Sequence, residues 1–364
     1  MTTTHRAILR HGATCVLADR PTPEPADGEL TVAPERVSLC GTDIQILRGD
    51  RDDPSPIVGH EGAARIVGIG PGADDFAIGD RVVINPTHPS DPSFLLGHNV
   101  EGLFQERVVI GASAVASGLV GKLPHDLSPE RATLVEPFAV VRYALGCLAA
   151  SRPDTLVVHG DGLIGNLAAV LAPHYLAPGI RIAVVHRTAH GLRWTRTNIP
   201  AAANVLSGRD DLAAHTGDRV AVLVATHRAG TVPAIEDVLG QLGSRVVALH
   251  LLGGLAPDAR SAQLPGVDLP GVRQANTGGP WPPASVTVDT GTHRLTLTGN
   301  RGTATAQLTA AAEALRRWDD SVDMLLTHIV GMVEGVRYIN EIITTRTRII
   351  GGELVMRLVV NLHE

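Results

Sequence analysis

Cysteine is scarce in this chain of 364 residues: three are present, an odd number too small for a disulfide framework, so a reducing compartment is expected. Aromatic residues make up 3%. Lys122 is the only lysine, and no basic run or stripe occurs anywhere, which with a formal charge of −6 argues against a nucleic-acid partner. No uninterrupted apolar run reaches the length of a membrane span. His5, Arg6, Arg10 and His11 begin the chain without an apolar segment after them, so no signal peptide and a cytoplasmic location are expected. Hydrophobic residues at 44% and charged residues at 19% describe a globular chain long enough for two cores.

Residues 1–150 read as short strands cut by turn residues, among them Ala7-Ile8-Leu9, Leu30-Thr31-Val32, Ala64–Gly68, Arg81–Ile84 and Glu106–Ile110. Spacing turns helical around 129–150, where Leu134, Phe138, Val141 and Leu145 share one side. From Asp154 the pattern is βα: strand Leu156–Val158, a glycine turn, a helix up to Pro173, then strands at 182–185, 220–224 and 245–249. That alternation predicts a parallel sheet covered on both faces. Residues 254–285, rich in Gly and Pro, read as a loop excursion; a helix follows near 304–317, and a strand pair flanks Gly351-Gly352.

Two constellations carry chemistry. Cys40-Gly41-Thr42-Asp43, Gly59-His60-Glu61 and Glu136-Pro137 supply a thiolate, an imidazole and two carboxylates, donor types that bind zinc while leaving a position open. Each donor alone has an ordinary explanation, but all three segments lie beside glycine or proline turns that can aim them into one cleft. Glu61 can be a ligand or a carboxylate behind the ligands. Thr42 offers a hydroxyl to a metal-bound oxygen, and Asp43 suits the outer shell, orienting the His60 ring. His88 and His98 read as solvated loop histidines.

The second constellation is Gly160-Asp161-Gly162-Leu163-Ile164-Gly165, which follows an apolar strand and opens a helix, the context of a dinucleotide pyrophosphate turn. Where an NAD site would place Asp or Glu for the ribose, this chain has His186-Arg187. Loss of that carboxylate and the presence of Arg187, with Arg193 as a further candidate, favour NADP(H) over NAD(H).

These segments resemble the zinc-dependent medium-chain dehydrogenase/reductase family, the alcohol and polyol dehydrogenases. The likeness runs from Pro21–Pro25 and Gly28-Glu29-Leu30 through Gly79-Asp80-Arg81-Val82 to Gly299-Asn300-Arg301-Gly302. It implies an α/β protein: a GroES-like β-rich catalytic domain at 1–150, a Rossmann doubly wound parallel-sheet cofactor domain at 151–298, and a C-terminal return at 299–364. It also implies one catalytic zinc in the cleft between them, held by Cys40, His60 and the acidic Glu61 or Glu136, with Asn300 among the cofactor contacts. The assembly implied is a homodimer or homotetramer. Glu136-Pro137 is closer to the polyol branch, which implies a hydroxyl-rich sugar, cyclitol or aminocyclitol substrate, an alcohol or its ketone.

The chain departs from the family in three places. Residues 85–105 lack the four cysteines of a structural zinc lobe, Gln45 stands where many members end a proton relay with histidine, and Ala64 replaces a usual glycine. Two other readings stay open: a zinc-free reductase of an activated double bond, and a non-catalytic NADP(H)-binding scaffold.

Overall fold

A computed structural model describes residues 3–202, 204–208, 210–289 and 293–364. The chain divides into two compact units, Met1–Ala139 with Ala304–Glu364, and Val140–Thr303. The borders at 139/140 and 303/304 differ from those expected from the sequence, 150/151 and 298/299.

The first unit is built on a seven-stranded sheet. Its central strand, Leu30–Leu39, is buried along nearly its whole length. Glu61–Ile69 pairs antiparallel on one side and Leu358–Asn361 on the other, while Val108–Ile110 adds to the end near Leu30. Pro34 is tolerated inside this central strand because the register shifts between Pro34 and Arg36, leaving Glu35 as a bulge. Ala64 sits opposite, paired with Pro34 and 1% exposed, so the strand passes through this position without interruption. A hairpin, Thr4–His11 with Thr14–Pro21, and the amphipathic helix Met332–Thr345 close the core. That helix buries Met332, Ile339, Ile342 and Ile343, an apolar spacing that is visible in the sequence.

The strand arrangement decides where functional side chains meet. Leu39 pairs with Leu358, and Ser38 with Glu61. The ends of three neighbouring strands therefore bring Cys40, Glu61 and Arg357 together from remote parts of the chain.

The second unit is a seven-stranded sheet in the order Asn204–Ser207, Arg181–His186, Thr155–His159, Val220–Val224, Val246–Leu251, Arg294–Gly299, Val286–Asp289. The first six run parallel and only the edge strand Val286–Asp289 is antiparallel. The first strand in the chain lies inside the sheet, the next two build outward on one side, and the chain then crosses to the other. That reversal is the doubly wound dinucleotide-binding order. Thr155–His159 and Val220–Val224 are buried at every position, as expected for strands covered on both faces.

Two local expectations need correction. The helix after the glycine turn runs Leu163–Tyr175, past Pro173, because a proline in the last turn removes few intrahelical bonds. Residues 254–285 contain the short helix Leu269–Gln274, where a proline in the first turn fits the helix start. Among the described residues no helix is long and apolar enough to cross a membrane. All three cysteines, Cys15, Cys40 and Cys147, are buried and free.

Candidate functional site

Cys40 directly follows the central strand and caps the helix Gly41–Leu47. Its Sγ accepts from the Thr42 N–H at 3.1 Å, and Asp43 Oδ2 accepts from the Cys40 N–H at 2.9 Å. Asp43 is wholly buried and reaches the other segment as well: its Oδ1 accepts from Gly59 N at 3.2 Å and stands 3.4 Å from His60 Nδ1. Gly59 allows this approach. Its φ is +96°, and a Cβ there would lie 2.6 Å from the Phe104 ring.

Cys40, Asp43 and His60 offer ligand atoms that all lie within 4.8 Å of one another. Asp43 beside Nδ1 leaves the opposite ring nitrogen of His60 for a metal, an arrangement that orients metal-bound histidines. Glu61 and Glu136 stand outside that group. Glu61 Oε2 pairs with Arg357 Nη2 at 2.6 Å, and Arg357 also donates to the Thr133 carbonyl at 2.7 Å. Glu136 lies near enough to Glu61 for the two carboxyls to interact. Its pKa is pushed up to about 8, by burial first and by the Glu61 charge second.

Electrostatics describe a site short of positive charge. Burial, then Glu61, raise the Cys40 thiol above its ordinary range. Burial opposes protonation of His60, yet the Cys40 and Asp43 charges outweigh it and hold His60 well above the usual range. Four acidic side chains (Cys40, Asp43, Glu61, Glu136) share the region with the bases His60 and Arg357. A thiolate-imidazole-carboxylate set with surplus acidity fits a divalent cation of borderline softness, such as zinc. Neither Arg357 nor its role was legible in the sequence, since it stands just before the last strand, Leu358–Asn361, and carries no motif.

Thr42 is half-buried. Gln45 turns its amide back to the Gly41 carbonyl at 3.3 Å. His88 and His98, expected as solvated, are buried at 7% and 5% exposure. His88 holds its own loop, accepting from Asp91 N at 2.9 Å and meeting Ser117 Oγ at 2.8 Å. His98 packs against His60.

In the second unit the glycine turn links Thr155–His159 to Leu163–Tyr175. Gly160 has φ +140°, and a Cβ there would collide with the Ala225 carbonyl; one at Gly165 would collide with the Gly160 carbonyl. Gly162 caps the helix, Leu163 is buried and Ile164 half-buried. His186 ends its strand at 2% exposure, with neither ring nitrogen hydrogen-bonded. Burial lowers its pKa, so it is neutral and supplies no positive charge. Arg187 and Arg193 are exposed. Asp161, inside the glycine turn, reaches the same strand end: its Oδ2 accepts from Thr188 Oγ1 at 2.9 Å and Thr188 N at 3.3 Å. Asn300 is 1% exposed, with its carbonyl bonded to His250 Nε2 at 2.9 Å and its amide to the Gly302 carbonyl at 2.8 Å.

With this geometry in place, relatives can be compared. Residues 26–119 match the alcohol dehydrogenase GroES-like domain. A sorbitol dehydrogenase from Bombyx mori is 30% identical over 188 residues, 47% of this chain and 54% of that enzyme, so the chain spans about half its length. An L-threonine 3-dehydrogenase from Shigella dysenteriae serotype 1 (strain Sd197) is 29% identical over 257 residues, 65% of this chain and 73% of that enzyme. The crystal structure of 2R,3R-butanediol dehydrogenase from Bacillus subtilis has the same fold, with TM-score 0.72 at 18% identity over 99% of each chain. Residues 26–119 are thus a domain of the alcohol dehydrogenase GroES-like kind, and the chain as a whole is similar to dehydrogenases of the medium-chain type.

His250 gives this fold a pH signature. It is fully buried between Asn300 and Thr298 Oγ1 (2.8 Å), and burial lowers its pKa to about 4. The unfolded chain takes up that proton near pH 6.5, earlier than the folded one. Stability is therefore lost as pH falls from about 6.5 towards 4, by up to about 3 kcal/mol from this residue. Urea denaturation at pH 7 and 4.5 should show a smaller acid loss for His250→Gln than for the parent; equal losses would contradict the assignment.

Proposed function

We propose that this protein interconverts a secondary alcohol and a ketone with a nicotinamide dinucleotide, at one zinc ion per chain. The observation that carries the reading is the buried group of Cys40, His60 and Asp43 backed by Glu61 and Glu136, an arrangement with more acid than its own bases balance. Cys40 and His60 would hold the zinc, with Glu61 or Glu136 as the carboxylate donor and Asp43 behind His60. Zinc at such a site supplies Lewis-acid polarisation of a carbonyl or alcohol oxygen. A zinc-free double-bond reductase would have no use for this buried set.

Thr42 is assigned the proton. Its N–H is bound to the Cys40 sulfur, which fixes its backbone beside the donor group. Its hydroxyl would take the proton from an alcohol or return it to a nascent alkoxide. Gln45 cannot titrate and is tied to Gly41, so it only shapes the first turn. The substrate class is hydroxyl-rich. Sorbitol, L-threonine and 2R,3R-butanediol, named for the relatives above, all carry a second polar group, in keeping with a polar alcohol or its ketone.

NADP(H) is favoured over NAD(H). Arg187 is exposed beside the strand end where an adenosine 2′-phosphate would lie, whereas His186 is neutral and contributes shape only. Asp161 works against the phosphate, although Thr188 engages one of its oxygens with two hydrogen bonds.

Two experiments test the reading. Thr42→Val keeps the shape and removes the hydroxyl. It should lower kcat by about 10²–10⁴-fold on a panel of secondary alcohols and ketones, with zinc content and cofactor affinity unchanged. Near-normal turnover with chemistry rate-limiting would overturn the proton assignment. Fluorescence titration should give tighter binding of NADPH than NADH; Arg187→Ala should weaken NADPH by about tenfold, and Asp161→Asn should strengthen it. Tighter NADH binding by the parent protein would refute the preference.

A further inference from the structure

His98 is held in place with more machinery than packing requires. Its Nδ1 lies 3.0 Å from Asp53 Oδ1, and the Asp53 carboxylate is gripped by Arg51 at both oxygens, 2.7 Å to Oδ2 and 3.2 Å to Oδ1. The backbone is pinned too: the His98 carbonyl accepts from Ser55 N at 2.8 Å, and the Asp53 carbonyl from Arg10 Nη1 at 3.0 Å. The ring centroid lies 5.3 Å from that of His60, with the planes inclined at 43°. An imidazole so fixed stands directly against a member of the metal-donor group.

The Asp53 carboxylate can only accept, so Nδ1 carries the ring proton and Nε2 presents a lone pair. Nε2 has no hydrogen-bond partner among the described residues, and it is not one of the sealed, unsatisfied nitrogens of the interior. A phenyl or isobutyl side chain would fill the same space without Asp53 and Arg51. A fixed tautomer matters when a particular nitrogen must meet a particular group.

We propose that His98 is a substrate-binding residue, whose Nε2 accepts a hydrogen bond from a hydroxyl or ammonium group on a carbon next to the reacting carbinol. The proposal rests on the alcohol–ketone reading above and narrows it to vicinal diols and amino alcohols. The ring spacing suits it: an oxygen bound beside His60 and a donor bound by His98 would sit on neighbouring carbons. A monofunctional alcohol would leave the His98 acceptor unpaired inside the site, which is a penalty as well as a missing bond.

Butane-2,3-diol and butan-2-ol, which differ by one hydroxyl, are the probes. Both are assayed for oxidation with NADP⁺ and for binding by calorimetry to the zinc-loaded, NADP⁺-bound protein. The parent protein should favour the diol. His98→Ala should lower kcat/KM and affinity for the diol by about tenfold or more while leaving butan-2-ol within about twofold. His98→Gln, whose amide oxygen can replace Nε2 as acceptor, should restore part of the difference; zinc content should match the parent in both variants. Equal effects on the two alcohols, or none, would overturn the proposal. If neither alcohol is oxidised yet the diol still binds more tightly in a His98-dependent way, the catalytic reading fails and the role of His98 stands. If His98→Ala does not fold, the decision passes to His98→Gln and to the parent's own preference, and a parent without preference for the diol contradicts the proposal.

Discussion

Everything at the candidate metal centre follows from an imbalance of buried charge at the ends of three adjacent strands. The central strand delivers Cys40, its neighbour begins at Glu61, and Arg357 precedes the strand on the other side. Glu136 enters on the helix Val135–Ala149 and comes under the charge of Glu61. Arg357 compensates Glu61, and His60 compensates Asp43 and Cys40, yet the Glu136 carboxyl and the Cys40 thiol remain pushed towards their neutral forms. Groups that burial drives to protonate are expensive to keep unless they perform a task. One added dication relieves all of them at once, which makes metal binding the economical account of why they are gathered.

The dinucleotide unit shows a different tension. Its strand order and glycine turn have one plain reading, but the end of the strand Arg181–His186 mixes signs. His186 is neutral, Arg187 is exposed, and Asp161 leans in from the turn to bond Thr188. On the proposed reading, cofactor choice would rest on a cation and an anion from different segments, Arg187 and Asp161, and not on the single residue after the strand.

How much of this was legible in the sequence depends on how local the signal is. Cys40 with Asp43, His60 with Glu61, and the Gly160–Gly165 turn are contiguous motifs, each tied to backbone geometry that only a few residues can adopt. Their convergence could be expected because short segments beside glycines are easily aimed. Arg357 and the Arg51–Asp53–His98 set could not be read this way, since pairing between distant strands and loops leaves no spacing pattern. His186 was read as a replacement for a carboxylate, but its burial and neutrality depend on neighbours across the sheet. The histidines of the 85–105 segment looked solvated because a polar, proline-rich stretch usually is; there His98 is buried against His60 and bonded to Asp53, and His88 is held by its own loop and Ser117.

The central claim is that a zinc ion balances the buried acids around Cys40 and His60. The direct measurement is the number of protons released when one equivalent of zinc is added to metal-stripped protein at pH 7 in weak buffer. Ligands must deprotonate to bind, so the account predicts release of roughly two protons per zinc, and a clear reduction in Cys40→Ser. Zinc binding without proton release, or with release unchanged in Cys40→Ser, would contradict it.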